Sequence, residues 1–317
     1  MITNLKDSIG KKIFFICNPT AGAGQAHKRW IELNRELIAN NVEFDYQFTT
    51  APKNATEIVS DVIDRGYSRI AVFGGDGTVN EVLQGVMKNG IAPDQLQLIL
   101  LPAGSSCDFA KKFPRDKTNI ELIQSKEIIA ADIGKIECND SNGNPVTSYF
   151  INNSSIGVIS LANEYFSSIT GIFKLIKRIN VDVAAIVAGL KAIGKFKSIS
   201  CELKFDDEEV KFTDIMNITV FKTPYFGGGM NYGIETVQDD GNFTVAMVDR
   251  VSKFSLLGIL PTLYLGTIFK KKAAHHRLCK TLNFDTNRNF YIEMDGESAG
   301  YPPAKYSVLN QAINIVV

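Results

Sequence analysis

The chain has 317 residues, 45% of them hydrophobic and 21% charged, which excludes a disordered chain and exceeds what one core usually holds, so two domains are expected. Lys plus Arg and Asp plus Glu both number 34, so the formal net charge is zero and bulk charge argues against a nucleic-acid partner. The five cysteines, Cys17, Cys107, Cys138, Cys201 and Cys279, include no CxxC pair and read as free thiols of a reducing compartment.

The first third alternates strand and helix signals. KIFFIC (12–17) is a buried-strand run, followed by a Gly-rich turn and a helical pattern from Ala26 to Ala39. VEFDYQF (42–48) alternates like a strand, and ATEIVSDVIDRG (55–66) places Ile58, Val62 and Ile63 on one helical face. RIAVF (69–73) is a strand, TVNEVLQGVMKNG (78–90) a helix with Gly90 as its stop, and LQLILL (96–101) another strand. That order predicts an α/β N-terminal domain with a parallel sheet over residues 1–132. From 133 to 303 strand signals dominate, separated by turns such as NDSNGNP and DDG, and predict a mainly antiparallel β domain. Helical stretches at 158–195 and 253–270 interrupt it, and the C-terminal 304–317 is a candidate to pack back onto the first domain. MITNLKDSIGKK lacks the apolar core of a signal peptide, and no uncharged apolar run reaches the ~20 residues of a membrane-spanning helix, so a cytoplasmic location is expected.

Within this pattern AVFGGDGTVNEVLQGV (71–86) raises a chemical question. Gly74–Gly77 forms the turn between strand and helix, and Thr78 with Glu81 reads as a T-x-x-E capping box. A helix start attracts phosphate, and glycines let backbone approach a ligand. Asp76 would repel phosphate unless a cation intervenes, which suggests a magnesium-bound nucleotide. An ordinary strand-to-helix turn explains the same residues. LLPAGSSCDFAKKF (100–113), with Ser105 and Asp108 as a weaker cap, and ICNPTAGAGQAHKRW (16–30) repeat the strand, small-residue turn, helix pattern. Three such loops would share the C-terminal edge of one sheet, where open α/β sheets bind ligands. Other nucleotide motifs fail: GAGQAH has His27 in place of a third glycine, and no Gly-Lys-Ser/Thr follows any loop. His275 and His276 lack the partner of a zinc motif.

GGDGTVNEV resembles the nucleotide loop of the diacylglycerol kinase catalytic-domain family, which includes bacterial soluble lipid kinases, sphingosine kinases and ceramide kinases. NPTAGAGQA, LPAGSSCDFAKKF, FINNSSIGV, YFGGGM, VQDDGNFTV and YIEMDGE are similar to further family motifs in the same order, over roughly 12–300. The resemblance implies an NAD-kinase/phosphofructokinase-like first domain, a β-sandwich lipid domain and an active site in the cleft between them. It implies that Asn18, Thr49, Gly74, Gly75, Asp76, Gly77, Thr78, Asn80, Gly104 and Ser105 contact ATP or orient its magnesium network. It makes Asp295 the catalytic base, with Glu297 beside it and Asp76 in the catalytic network, and it makes Val237, Asp240 and Asn242 a structural Mg2+ loop. Read without the resemblance, the Asp295-Gly296 pair after an alternating strand is a hairpin turn and DDG at 239–241 is an ordinary turn. Two residues depart from the family pattern: Ser105 stands where Thr is usual, and Cys107 where Asn is usual. Cysteine replaces poorly an amide that both donates and accepts.

The implied substrate is a lipid hydroxyl at a membrane surface, with diacylglycerol converted to phosphatidic acid, and a homodimer is a family-level expectation. Residues 169–197 are apolar with six Lys or Arg, and 254–269 end in Lys270–Lys272, so both stretches suit transient membrane association. Packing on the β domain with lysines reaching water explains them too. A sphingoid or ceramide kinase, a soluble-acceptor kinase of the NAD-kinase kind and a non-catalytic lipid or nucleotide sensor remain alternatives.

Overall fold

The structure, a computed structural model, describes residues 12–113, 116–168 and 181–317. It divides into two compact units, Met1–Asp132 with Asn310–Val317, and Ile133–Leu309.

The first unit is built on β1 (Ile13–Cys17), β2 (Phe44–Phe48), β3 (Arg69–Gly74) and β4 (Gln97–Pro102). All pair in parallel in the spatial order β4-β3-β1-β2. β1 is buried along its whole length, as its unbroken apolar run dictates for a strand covered on both faces. Between the strands lie α1 (Gln25–Ala39), α2 (Asn54–Asp64) and α3 (Asp76–Val86), and after β4 comes α4 (Asn119–Gln124). α1 buries Ala26, Trp30, Leu33 and Leu37, a stripe at helical spacing. Trp30 meets Phe15, Phe44 and Phe73 at ring-centroid distances of 5.4, 6.4 and 5.7 Å, which ties helix to sheet. The register pairs Cys17 with both Phe48 and Phe73, and Phe73 with Leu101. The loops after all four strands therefore leave the sheet at one level.

The helix after β3 differs from the sequence expectation. It begins at Asp76 with Gly75 as N-cap and ends at Val86, and no Thr78 cap forms because Thr78 already lies inside the first turn. The Glu81 carboxylate instead accepts the N–H groups of Lys53 (2.9 Å) and Ala55 (3.1 Å), so it caps α2 from outside. Nor does Ser105 cap a full helix: a short 3-10 turn, Asp108–Lys111, follows with no side-chain cap.

The second unit contains β5 (Ile128–Asn139), whose first residues lie in unit one, then β6 (Pro145–Phe150), β7 (Asn153–Gly157), α5 (Val158–Ser167), α6 (Val181–Lys195), β8 (Ile199–Phe205) and β9 (Lys211–Phe221). A small hairpin, β10 (Tyr225–Phe226) with β11 (Met230–Asn231), precedes β12 (Phe243–Asp249), α7 (Lys253–Leu257) and α8 (Leu260–Tyr264). The chain closes with β13 (Ala274–Cys279), β14 (Thr281–Asp285), β15 (Ile292–Met294) and the long β16 (Glu297–Val316). Antiparallel pairing runs β9 to β7 to β15 to β16 to β14 to β8 and back to β9, a closed ring. Two long strands close it: β9 pairs β8 through 211–215 and β7 through 217–221, and β16 pairs β15 through 297–300 and β14 through 304–307. Long strands that serve two sheets are how sandwiches turn their corners. The end of β16 runs parallel to β4, pairing Asn314 with Gln97 and Ile315 with Leu98 inside the first unit.

Two helical expectations change. Residues 253–270 form two short helices and a 3-10 turn, because Gly258 ends the first and Pro261 sits at the start of the second. The 158–195 stretch contains α5 and α6, and its residues 169–180 lie outside the described set. Strands β13 and β14, around His275 and His276, had no place in the sequence reading.

Candidate active site

In the first unit three loops converge by backbone contact. Gly74 O accepts the N–H groups of Ala103 (2.8 Å) and Gly104 (3.2 Å). A Cβ on Gly104 would lie 2.6 Å from Gly75 Cα, and a Cβ on Gly22, whose φ is +58°, would lie 2.7 Å from Ala103 O. Only glycine permits this approach. Asn18 joins the loops by side chain: its Nδ2 donates to Thr78 Oγ1 (3.0 Å), and its Oδ1 accepts Thr20 N–H (3.0 Å) and Oγ1–H (2.8 Å). The first bond of α3 runs from Val79 N–H to Gly75 O (3.1 Å). The N–H groups before it have no partner within the helix, so the cradle carries the positive end of the helix dipole. A glycine-walled cradle at a helix start fits phosphate.

Asp76 lies on this first turn, and its Oδ1 accepts Phe109 N–H (3.2 Å). Burial pushes its carboxyl above the usual range, and the charge of Asp108 pushes it further. Buried Asp108 accepts from Lys111 Nζ (2.5 Å) and Ser106 Oγ (2.7 Å). Asp108 and Lys111 were absent from the sequence-level site, where Asp108 read as a weak cap. The signal was the i, i+3 pair of opposite charges in CDFAK. The charge of Asp108 thus raises the affinity of Asp76 for positive charge, while Lys111 pairs with Asp108 itself.

The other expected residues distribute unevenly. Thr49, directly after β2, donates its N–H to Cys17 O (2.9 Å) at the same sheet edge. Asn80 is buried one turn into α3, with its Oδ1 accepting from Gln84 Nε2 (3.2 Å). Gly77 belongs to the first turn of α3, while Ser105 is exposed. Cys107 is buried with φ +49° and ψ +49°, and its thiol faces Gly74 O at 3.7 Å. That left-handed conformation suits asparagine better than cysteine.

The second unit holds the remaining carboxylates. Asp295 (φ +47°) and Gly296 (φ +90°) form the two-residue turn of a hairpin that pairs Met294 with Glu297. The hairpin-turn reading of this residue is therefore what the backbone shows. Buried Asp295 accepts three backbone N–H groups: Ile151 on Oδ2 (2.9 Å), and Asn152 and Asn153 on Oδ1 (both 3.0 Å). Those bonds hold the carboxylate in one orientation. Glu297 is exposed beyond the turn. Glu293, one strand repeat before Asp295, is buried, and burial first and the Asp295 charge next push it up to about 8.

Of the residues of the expected Mg2+ loop, Val237, Asp240 and Asn242, the last two lie beside a buried lysine. Lys222 Nζ donates to Asp240 Oδ1 (2.8 Å) and to Asn242 O (2.7 Å), two of the three groups assigned to the ion. Val237 is largely exposed. An ammonium holds these oxygens, so as arranged they do not fit a divalent ion. Among the described residues no cluster of three or more His, Cys, Asp or Glu side chains is placed to hold a metal, and no helix is long and apolar enough to cross a membrane.

Residues 12–136 match the family described as diacylglycerol kinase catalytic domain, and residues 170–317 match the one described as YegS C-terminal NAD kinase beta sandwich-like domain. YtlR of Bacillus subtilis (strain 168) is 26% identical over 299 residues, covering 92% of this chain and 94% of its own. A diacylglycerol kinase of Staphylococcus saprophyticus is 23% identical over 308 residues, covering 96% and 95%. A crystal structure of a Bacillus anthracis diacylglycerol kinase shares the fold at a TM-score of 0.67 and 21% identity over 96% of each chain. An Archaeoglobus fulgidus NAD kinase in complex with ATP shares it at 0.50 and 11% identity, over 96% of this chain and 93% of that one. With both domain types present in sequence and the glycine-walled cradle present in structure, the chain belongs to the diacylglycerol kinase catalytic-domain family of lipid kinases.

Proposed function

We propose that this protein transfers the γ-phosphoryl group of ATP to a lipid hydroxyl, with diacylglycerol as substrate and phosphatidic acid as product. The cradle of Gly74, Gly75 and Gly104 at the start of α3 is the observation that carries this reading. Its outward N–H groups would hold nucleotide phosphates, with Asn18 and Thr78 fixing the loops around them. Asp76 would hold Mg2+, which would supply positive charge to the phosphate oxygens when bound, while Asp108 is already paired with Lys111. Phosphoryl transfer depends mainly on such positioning and charge. The lipid oxygen forms its bond to phosphorus as the bond to ADP breaks, and its proton passes to the Asp295 carboxylate.

Surface features of the second unit support contact with a membrane. Phe254 is 87% exposed and Leu265 72% exposed, on the segment that also carries Lys253 and Lys270–Lys272. Apolar side chains beside a basic cluster suit an anionic bilayer surface.

The test is a labelled-ATP assay with Mg2+ against diacylglycerol, monoacylglycerol, sphingosine and ceramide in mixed micelles, with NAD as the soluble acceptor. Label is expected on diacylglycerol. Asp295→Asn is expected to slow transfer by about 10²–10⁴-fold with a fall of only a few degrees in melting temperature, since the amide nitrogen cannot accept one of the three backbone N–H groups. Label on NAD alone, or on nothing, sinks the lipid-kinase reading. A rate loss matched by a large fall in melting temperature would make Asp295 a backbone clamp and not the base.

A further inference from the structure

Lys222 is the one lysine that is buried among the described residues, at 1% exposure. It follows β9, and its backbone N–H bonds to Asn152 O at 2.8 Å, which pins the start of its side chain. Its ammonium reaches the loop before β12, where Asp240 Oδ1 and Asn242 O accept at 2.8 and 2.7 Å. The loop is wrapped around the same oxygens: Asn242 N–H donates to Asp240 Oδ1 (3.0 Å), and Asn242 Nδ2 donates to Asp240 O (2.9 Å). Burying a lysine is costly unless its charge is paired and its N–H groups are bonded. This loop supplies both conditions with one carboxylate and one carbonyl. Those are the ligand types that a Mg2+ ion would take, at about 2.0–2.1 Å in octahedral order. Burial alone would push Asp240 up, but the hydrogen bond and charge of Lys222 together hold it below its ordinary value.

We propose that the Lys222 ammonium is the resident cation of the 237–242 loop, which is therefore held by an internal charge and takes no divalent metal. The proposal does not depend on the lipid acceptor, and its test uses no substrate. Melting temperature is measured for the full chain without nucleotide, in EDTA and in excess Mg2+, for the wild type, Asp240→Asn and Lys222→Met. The wild type is expected to melt within about 1 °C in the two buffers. Lys222→Met is expected to melt several degrees lower, since it leaves the Asp240 carboxylate without its buried partner. A Mg2+-dependent rise in the wild type that vanishes in Asp240→Asn would overturn the proposal, because the loop would then bind metal. A rise that persists in Asp240→Asn places the ion elsewhere and keeps the loop metal-free, as proposed. An unchanged melting temperature for Lys222→Met would also overturn it. Should Lys222→Met fail to fold, the wild type and Asp240→Asn still decide the metal question.

Discussion

Glu293 shows how one side chain can tie stability to pH. Its Oε1 accepts Gly296 N–H at 2.6 Å, while its Oε2 is buried without a hydrogen-bond partner. Burial and the nearby Asp295 charge push it up to about 8. A carboxyl raised in the folded state contributes stability that is fully present below its unfolded value of about 4.3 and is lost as pH rises toward 8. The expected outcome is that Glu293→Gln flattens the fall in stability between roughly pH 5 and 8, read by denaturant unfolding at each pH. Cys107 belongs to the same scale. Its thiol against Gly74 O places it on the glycine-walled cradle, with a left-handed backbone. Cys107→Asn is expected to raise the melting temperature by a few degrees and to increase turnover, since asparagine accepts that conformation at less cost. A lower melting temperature would show that the thiol packing outweighs the backbone strain. At this scale the sequence exposed the glycines, Asp76 and Asp295, because their spacing and order carry the signal. It could not expose Lys222, whose partners Asp240 and Asn242 lie well along the chain, nor Glu293, whose raised carboxyl comes from burial by the fold, and it offered Asp108 only as a weak cap.

At the scale of elements, α2 and α3 pack so closely that a Cβ on Gly85 would lie 2.2 Å from Val59 Cγ1 and 2.6 Å from Thr56 O. A glycine inside a helix costs about 1 kcal/mol against alanine. Here it is the condition for the two helices to meet. Thr56 Oγ1 donates to Glu81 O (2.8 Å), and the Glu81 carboxylate caps α2. Glu81 therefore serves a different helix from the one its T-x-x-E spacing predicted. Glu81→Ala is expected to cost about 1 kcal/mol of stability, comparable to loss of an N-cap, and to speed amide hydrogen exchange at Lys53 and Ala55 while sparing the first turn of α3. Faster exchange at α3 instead would restore the local capping box. The spans of strands and helices in the first unit were readable because apolar runs and helical stripes alternate there. The short helices of 253–270 were not, since apolar residues surround Gly258 and Pro261 and hide the interruptions.

Over the whole molecule, the chain completes its first unit only at its end, where β16 supplies Asn314 and Ile315 beside β4. The second unit closes its ring through β9 and β16, each pairing different strands along its two halves. The sequence by itself determined the α/β order, the glycine loops, the antiparallel character of the later strands and the family, because each is written in local periodicity or in motif order. The tertiary structure alone decided which residues share a site. The register that levels the loops after β1, β3 and β4, the pairing of Asp76 with Asp108, the three N–H groups on Asp295 and the ammonium of Lys222 in the Asp240 loop all join distant segments. Such contacts form only when burial removes water and leaves each charge or N–H group to find its partner within the protein, and no local pattern records that choice.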